Sequence, residues 1–441
     1  MNTSDSKHEK AGSISSSFSS DPPQDTEFGK SGYDIDRSNG GSALYAYFNL
    51  TCLTLGTGML GLPASVKNAG WGGLALIILA WLMGSYSGII LQRTMYKGKT
   101  RRLASYKEMG DEAFGKIGGW ISFFFLTWML IGTPILYLVL AAANLNQLCA
   151  GTAGEIGTFK WTIVWCVIVG IPYIFIKSMK EIALSSLIGA VTMIGTVLIT
   201  IVLTGIDAPN HVGTVQHENV IWEGFPVALS TIAYAAGSNL IYANVEGSMK
   251  NPKKWPIVVV SSLTTCEAIY LALSICGYYV YGDKLVNPVY NSTPDGPARI
   301  AAIVLVTLHV VIACPLLLVS FALDVEDMMN ITVERLGKKK EFLVRAGFRT
   351  ATMIFVAVIG VVIPFFDVLM SLLGAFSNSA LVFILPVLFY WKLDGFRNKP
   401  IYELAWGALV LLYGLVALIF GTWAAVDDLV STFANGYHYQ I

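Results

Sequence analysis

The sequence predicts an all-α polytopic membrane protein with eleven transmembrane helices, ten of them in a five-plus-five inverted repeat, and helices 1 and 6 broken in mid-course. Three observations lead there. The 441 residues are 54% hydrophobic and only 13% charged, where soluble domains run near about 25% charged. Apolar runs long enough to cross a bilayer, which takes about 20 residues, follow one another closely from residue 43 onward. Two of those runs, the first and the sixth, carry glycine, proline or small polar residues in their middles.

Residues 1–42 are rich in Ser, Asp, Lys and Gly, and read as a disordered cytoplasmic tail. Neither a short basic-then-apolar leader nor a small-residue cleavage site is evident, so the first span is expected to direct membrane entry. Residues 43–426 form the transmembrane domain, with spans at 43–66, 72–95, 119–148, 161–177, 183–205, 222–247, 256–280, 299–323, 350–366, 369–391 and 403–426. The span at 161–177, between Trp161 and Lys177, is the shortest and must stand nearly upright or lean on its neighbours. Residues 427–441 make a short outer or lumenal tail.

Formal net charge is zero, but membrane proteins sort charge by side, with Lys and Arg concentrated in cytoplasmic loops. All 29 Lys and Arg except Lys67, Lys160, Lys284 and Arg299 fall on the side of the amino terminus. The amino terminus is therefore expected to be cytoplasmic. Asn291-Ser292-Thr293 then lies in an outer loop, where Asn291 is a candidate glycosylation site. The six cysteines have no CxxC pair and no regular spacing; Cys149 and Cys276 could meet near outer span ends, but apolar space-filling suits the set better.

Several function classes are disfavoured. Gly98-Lys99-Thr100 has Arg93 where a phosphate-binding loop needs its earlier glycine. There is no HExxH, and Gly84-Ser85-Tyr86-Ser87-Gly88 has tyrosine in place of a serine nucleophile. That stretch reads better as a GxxxG face for close helix packing. No enzyme activity, cofactor, metal site or nucleic-acid partner is expected.

The first break lies within Leu55-Gly56-Thr57-Gly58-Met59-Leu60-Gly61-Leu62-Pro63, and the second within Ala233-Tyr234-Ala235-Ala236-Gly237-Ser238-Asn239. A glycine-rich packing face is the plain alternative for the first, and a small-residue helix crossing for the second. Unpaired backbone groups at membrane depth are tolerated only against protein or a polar cavity, and breaks at matching positions of two halves point to the binding site of a secondary transporter. A helix resuming after Gly58 would aim free N–H groups and its positive dipole end at a carboxylate. Carbonyls left at the end of a half-helix would accept from an ammonium. The expected substrate is thus an amino acid, bound by Gly56, Thr57, Gly58, Met59, Leu60, Gly61, Ala235, Ala236, Gly237 and Ser238. No fixed charge is evident in the pocket, so small or medium neutral amino acids are expected.

The chain resembles the eukaryotic amino acid/auxin permeases, which include vesicular inhibitory amino acid, vacuolar, and system A and N transporters. The resemblance rests on Phe48-Asn49-Leu50 leading into Gly56-Thr57-Gly58-Met59-Leu60-Gly61-Leu62-Pro63, then Asn68-Ala69-Gly70-Trp71, Ser105-Tyr106-Lys107-Glu108, Ala113-Phe114-Gly115 and Glu246-Gly247-Ser248-Met249-Lys250-Asn251-Pro252. It implies eleven spans in the APC/LeuT-like inverted repeat, a cytoplasmic amino terminus, and substrate carried between spans 1 and 6 with help from spans 3 and 8.

Sodium-coupled members of that family typically carry a second asparagine where this chain has Cys52, which favours a proton over sodium as the coupling ion. Candidate ion-coupling residues are Asn49, Glu267, Thr307 and His309. Glu267 and His309 sit near the centres of spans 7 and 8, where ionisable groups are costly; a hydrogen-bonded structural role is the alternative for both. Thr307 is more simply read as back-bonding to its own helix. Glu246 and Lys250 could form a gate-closing pair or a solvated helix end. Trp128 and Tyr137 are candidates to line a side-chain pocket, and Lys338-Lys339-Lys340 to meet anionic lipid. The expected protein is a multi-pass symporter or antiporter of the plasma membrane or the vacuolar/lysosomal membrane. A transporter-like amino acid sensor is the alternative reading, and an ion channel a more distant one.

Overall fold

A computed structural model describes residue 37 and residues 40–98, 101–176, 183–397 and 399–434. The predicted amino-terminal tail, apart from Arg37 and residues 40–42, and residues 435–441 of the outer tail lie outside the described residues. Among the described residues, all regular structure apart from one isolated bridge is helical. Nine helical segments among the described residues are long and apolar enough to cross a membrane.

Helices α1 (Ala43–Thr54) and α2 (Gly58–Ala69) occupy the first apolar run. Then come α3 (Gly72–Met95), α4 (Tyr106–Leu148), α5 (Thr158–Phe175) and α6 (Ala183–His211). The sixth run holds α7 (Phe225–Ala235) and the short α8 (Tyr242–Gly247). It is followed by α9 (Trp255–Tyr281), α10 (Pro297–Met328), the one-turn α11 (Val333–Leu336) and α12 (Lys338–Val362). Next, α13 (Phe366–Leu372) runs through π-helical turns into α14 (Leu385–Asp394), and α15 (Ile401–Val416) continues through another into α16 (Thr422–Ala434).

Local chemistry explains the boundaries. Ser42 Oγ accepts from Tyr45 N and starts α1. Ser105 Oγ accepts from Glu108 N while Glu108 Oε2 accepts from Ala104 N, a variant of the reciprocal capping exchange. Gly115, at φ 70°, bends α4 into an amphipathic entry helix and a span, a conformation that a Cβ would oppose. The carbonyls at the end of α5 are held from α12. Arg349 donates to Tyr173 O at 2.8 Å and forms a two-pronged pair with Glu326 at 2.7 and 3.2 Å, while Arg345 donates to Ile174 O. Arg349 is fully buried, so its charge depends on that glutamate.

Around the broken segments, α2 lies along α7, α1 and α3 lie along α9, and α10 packs on both α4 and α6. The predicted GxxxG face is only half correct. A Cβ at Gly88 would meet the Tyr242 ring at 2.7 Å, which is close packing, whereas one at Gly84 would meet nothing within 4 Å.

Candidate functional site

Both predicted interruptions are present, and both are narrower than their motifs. Non-helical backbone occupies residues 55–57 and 236–238, followed in the second case by a 3-10 turn at Asn239–Ile241. Met59, Leu60, Gly61, Leu62 and Pro63 are already inside α2. The two gaps face each other because Gly58 has no side chain: a Cβ there would lie 2.7 Å from Ala235 Cα.

The free backbone groups run as the helix ends require. Thr57, at the start of α2, makes no side-chain cap, so the positive end of that helix is open to a ligand. Tyr270 OH donates to Thr54 O at 2.9 Å at the end of α1. At the end of α7, Asn378 Nδ2 donates to Ala233 O at 2.8 Å and to Tyr234 O at 3.0 Å. The π-helical turn carries Asn378 to the break; such turns recur at functional sites.

Between the breaks lies a cavity of about 120 Å³, when about 10–15 Å³ on the same measure holds one water. Gly56, Thr57, Gly58, Ala235, Gly237 and Ser238 line it, joined by His309. Met59, Leu60, Gly61 and Ala236 do not. Met59 and Leu60 are wholly buried in the apolar core, and a Cβ at Gly61 would run into Met370. Their helical register turns them away once α2 resumes at Gly58. Ala236 instead borders a second, smaller cavity.

The sequence reading missed Thr133 and Tyr234, whose side chains join Tyr137 on the polar wall, and missed an apolar wall of Met129, Leu240, Ile241, Ile312, Leu316 and Leu317. Pro134 in mid-span was the available signal for that face of α4. Among the described residues, no Asp, Glu, Lys or Arg lines the cavity. Trp128 is not at the site: it meets Phe376 edge-to-face at 5.3 Å and is 40% exposed.

The four ion-coupling candidates are scattered. Asn49 on α1 borders neither cavity. Thr307 donates to Ile303 O at 2.7 Å, the expected back-bond, and accepts from Asn144, which Tyr290 holds in turn. His309 Nδ1 is bonded to Gly189 O at 2.8 Å, and its Nε2 is buried without a partner. Glu267 lines the second cavity, with Oε1 enclosed and unpartnered.

Glu246 is fully buried and does not pair with Lys250. It meets Arg102 at 2.5 Å and Arg37 at 3.4 Å, and accepts from Tyr96 OH at 2.7 Å. Lys250 contributes its backbone instead: its N–H donates to Gly41 O, while Gly41 N donates to Ser248 O, at the Gly41 and Met249 bridge. The segment ahead of α1, the connection between α3 and α4, and the end of α8 are thereby knotted together. Elsewhere, Asn291 is half-buried with Oδ1 enclosed and Thr293 is buried. All six cysteines are free, so Cys149 and Cys276 do not pair.

The profile of the transmembrane amino acid transporter protein family matches residues 39–426. The chain belongs to that family. Among its relatives, the amino acid transporter AVT1E of Arabidopsis thaliana is 24% identical over 386 residues, covering 87% of this chain and 72% of that one. The proton-coupled amino acid transporter-like protein pathetic of Drosophila melanogaster is 27% identical over 407 residues, covering 87% and 84%. A manganese transporter of Eremococcus coleocola, in a mutant form, superposes with TM-score 0.56 at 12% identity over 92% of each chain. Mhp1, a nucleobase-cation-symport-1 family transporter, does so with 0.52 at 13% over 93% of this chain and 97% of that one. Those likenesses establish a shared fold. As a member of the transmembrane amino acid transporter family, the chain is a multi-pass membrane protein and a transporter rather than an enzyme.

Proposed function

We propose that the chain is a secondary active carrier of neutral amino acids, coupled to protons and working by alternating access. One observation carries the reading: two broken helices face each other across a cavity where no charged side chain among the described residues forms the lining. The substrate carboxylate meets the open start of α2, its ammonium meets the hydroxyls of Thr133, Tyr137 and Tyr234 on the polar wall, and its side chain lies along the apolar wall. A charged side chain would find no counter-ion there, and burying one unpaired is prohibitive.

The broken pairs α1 with α2 and α7 with α8 each count as one crossing, which brings the nine long helical segments to eleven spans. At about 1.5 Å per residue, α1 and α2 each cover about half of a 30 Å core. Spans 1–5 and 6–10 form the inverted repeat, with the eleventh appended. The amino terminus is cytoplasmic, so the Glu246 cluster is the cytoplasmic gate. Proton coupling is supported by the name of the Drosophila relative.

Uptake of labelled amino acids into proteoliposomes, with pH and sodium gradients imposed separately, tests this. Neutral substrates are expected to accumulate when the pH gradient alone is present. Saturable binding without accumulation would instead identify an amino acid sensor.

A further inference from the structure

Behind the substrate cavity, α3 and α9 close on the broken segments around a second cavity of about 30 Å³, room for one or two waters. It exists because Gly84 offers no side chain to fill it. Its lining is nearly all carbon, yet it contains two enclosed polar atoms without partners: Glu267 Oε1 and, on the facing helix, Trp81 Nε1. A buried carboxylate is normally paired or multiply hydrogen-bonded. Here it is neither. Among the described residues, the two cavities share only Thr54, at the end of α1, and Ala235, at the end of α7.

The titratable groups on the elements packed around Glu267 do not neutralise it. Cys266 and Tyr270 lie on its own helix, Cys52 on α1, Tyr234 on α7 and Tyr413 on α15, and none is cationic. Lys67 at the end of α2 is held by Leu285 O, Arg93 of α3 by Tyr390, and Asp207 of α6 by Tyr281 and His211. A metal cation does not suit the cavity either. Trp81 presents a donor, and Thr54 O already accepts from Tyr270, leaving too few free oxygens for a coordination shell. His309 is a poorer proton carrier because it lines the substrate cavity itself, where its cation would repel the substrate ammonium.

We propose that this second cavity holds the coupled proton, with the Glu267 carboxylate as its acceptor and a Trp81-bound water as its relay, apart from the amino acid. This rests on the carrier reading above. An ionised Glu267 opposes closing of this largely apolar cavity; one proton added to Oε1 removes the charge and lets α1 and α7 settle against α9. Release of that proton on the other side resets the cycle. The substrate and the proton then communicate through Thr54 and Ala235 alone.

The test uses full-length protein in proteoliposomes, comparing wild type with Glu267→Gln, Glu267→Asp and Trp81→Phe. Two readouts are taken: accumulation driven by an imposed pH gradient, and exchange of labelled for unlabelled substrate without a gradient. In Glu267→Gln, driven accumulation is expected to fall about tenfold or more and to lose its pH dependence, while exchange continues. Glu267→Asp restores driven accumulation in part, and Trp81→Phe moves the pH midpoint while exchange persists. Driven accumulation and a pH profile like wild type's in Glu267→Gln would overturn the assignment. So would loss of exchange in Glu267→Gln together with unshifted pH profiles in the other two variants. A wild type that neither exchanges nor accumulates amino acids would overturn the carrier reading itself, and the proton site with it.

Discussion

Gly237 lies against the side-chain amide of Asn378 so closely that a methyl group at position 237 would overlap it. That amide is the group holding the last carbonyls of α7. Contact and hydrogen bond together fix the second break to the π-helical turn between α13 and α14.

Gly237→Ala is therefore expected to push Asn378 off Ala233 and Tyr234, at a cost of roughly 1–3 kcal/mol typical of overpacking. Uptake should fall more than tenfold in protein that reaches the membrane in normal amounts. Uptake assays normalised to membrane-inserted protein check this. Asn378→Asp, which loses the amide donor without adding volume, should weaken uptake in the same direction.

Gly58→Ala attacks the opposing break. The new Cβ would meet Ala235 Cα at 2.7 Å, so α2 and α7 must separate. The expected outcome is loss of high-affinity substrate binding, read as loss of ligand-induced thermal stabilisation in detergent.

Met59→Ala separates lining from packing. Met59 is fully buried and borders no cavity, so the substitution should lower stability by about 2–5 kcal/mol while leaving substrate KM within about twofold of wild type. A change in KM without a loss of melting temperature would place Met59 at the site.

Glu246→Gln leaves Arg102 and Arg37 facing each other with no negative partner. Breaking a buried pair from one side costs roughly 3–5 kcal/mol, and that cost falls on the closed gate. Cys52, which lines the substrate cavity, should then react faster with an impermeant thiol reagent applied from the cytoplasmic side. A variant retaining only that cysteine makes the measurement clean.

Much of this was legible in the sequence because the signals were local. Glycines 56 and 58, and the small residues from Ala235 to Ser238, mark positions where the backbone must be bare, and bareness is written in composition. Helical register was less legible: Met59, Leu60 and Gly61 sit in the same motif but turn into the core once α2 resumes. Partnerships across the chain were not legible at all. Glu246 has Lys250 as a near neighbour in sequence, yet Arg37 and Arg102 reach it only when the fold brings three segments together. Asn378 gave no local sign, since its role depends on a π-helical turn that no apolar period announces. Ser105 and Glu108, by contrast, form a cap whose spacing is its own signature.

A solute whose two opposite charges cancel does no electrical work when it moves through walls that bear none. With no ionised side chain among the described residues along the substrate cavity, the membrane voltage has nothing to pull on in that wall. In the proposed carrier its leverage, about 2.3 kcal/mol per charge per 100 mV, falls on the coupled proton and on the Glu267 carboxylate that takes it up, so current recorded during uptake would count those protons one by one.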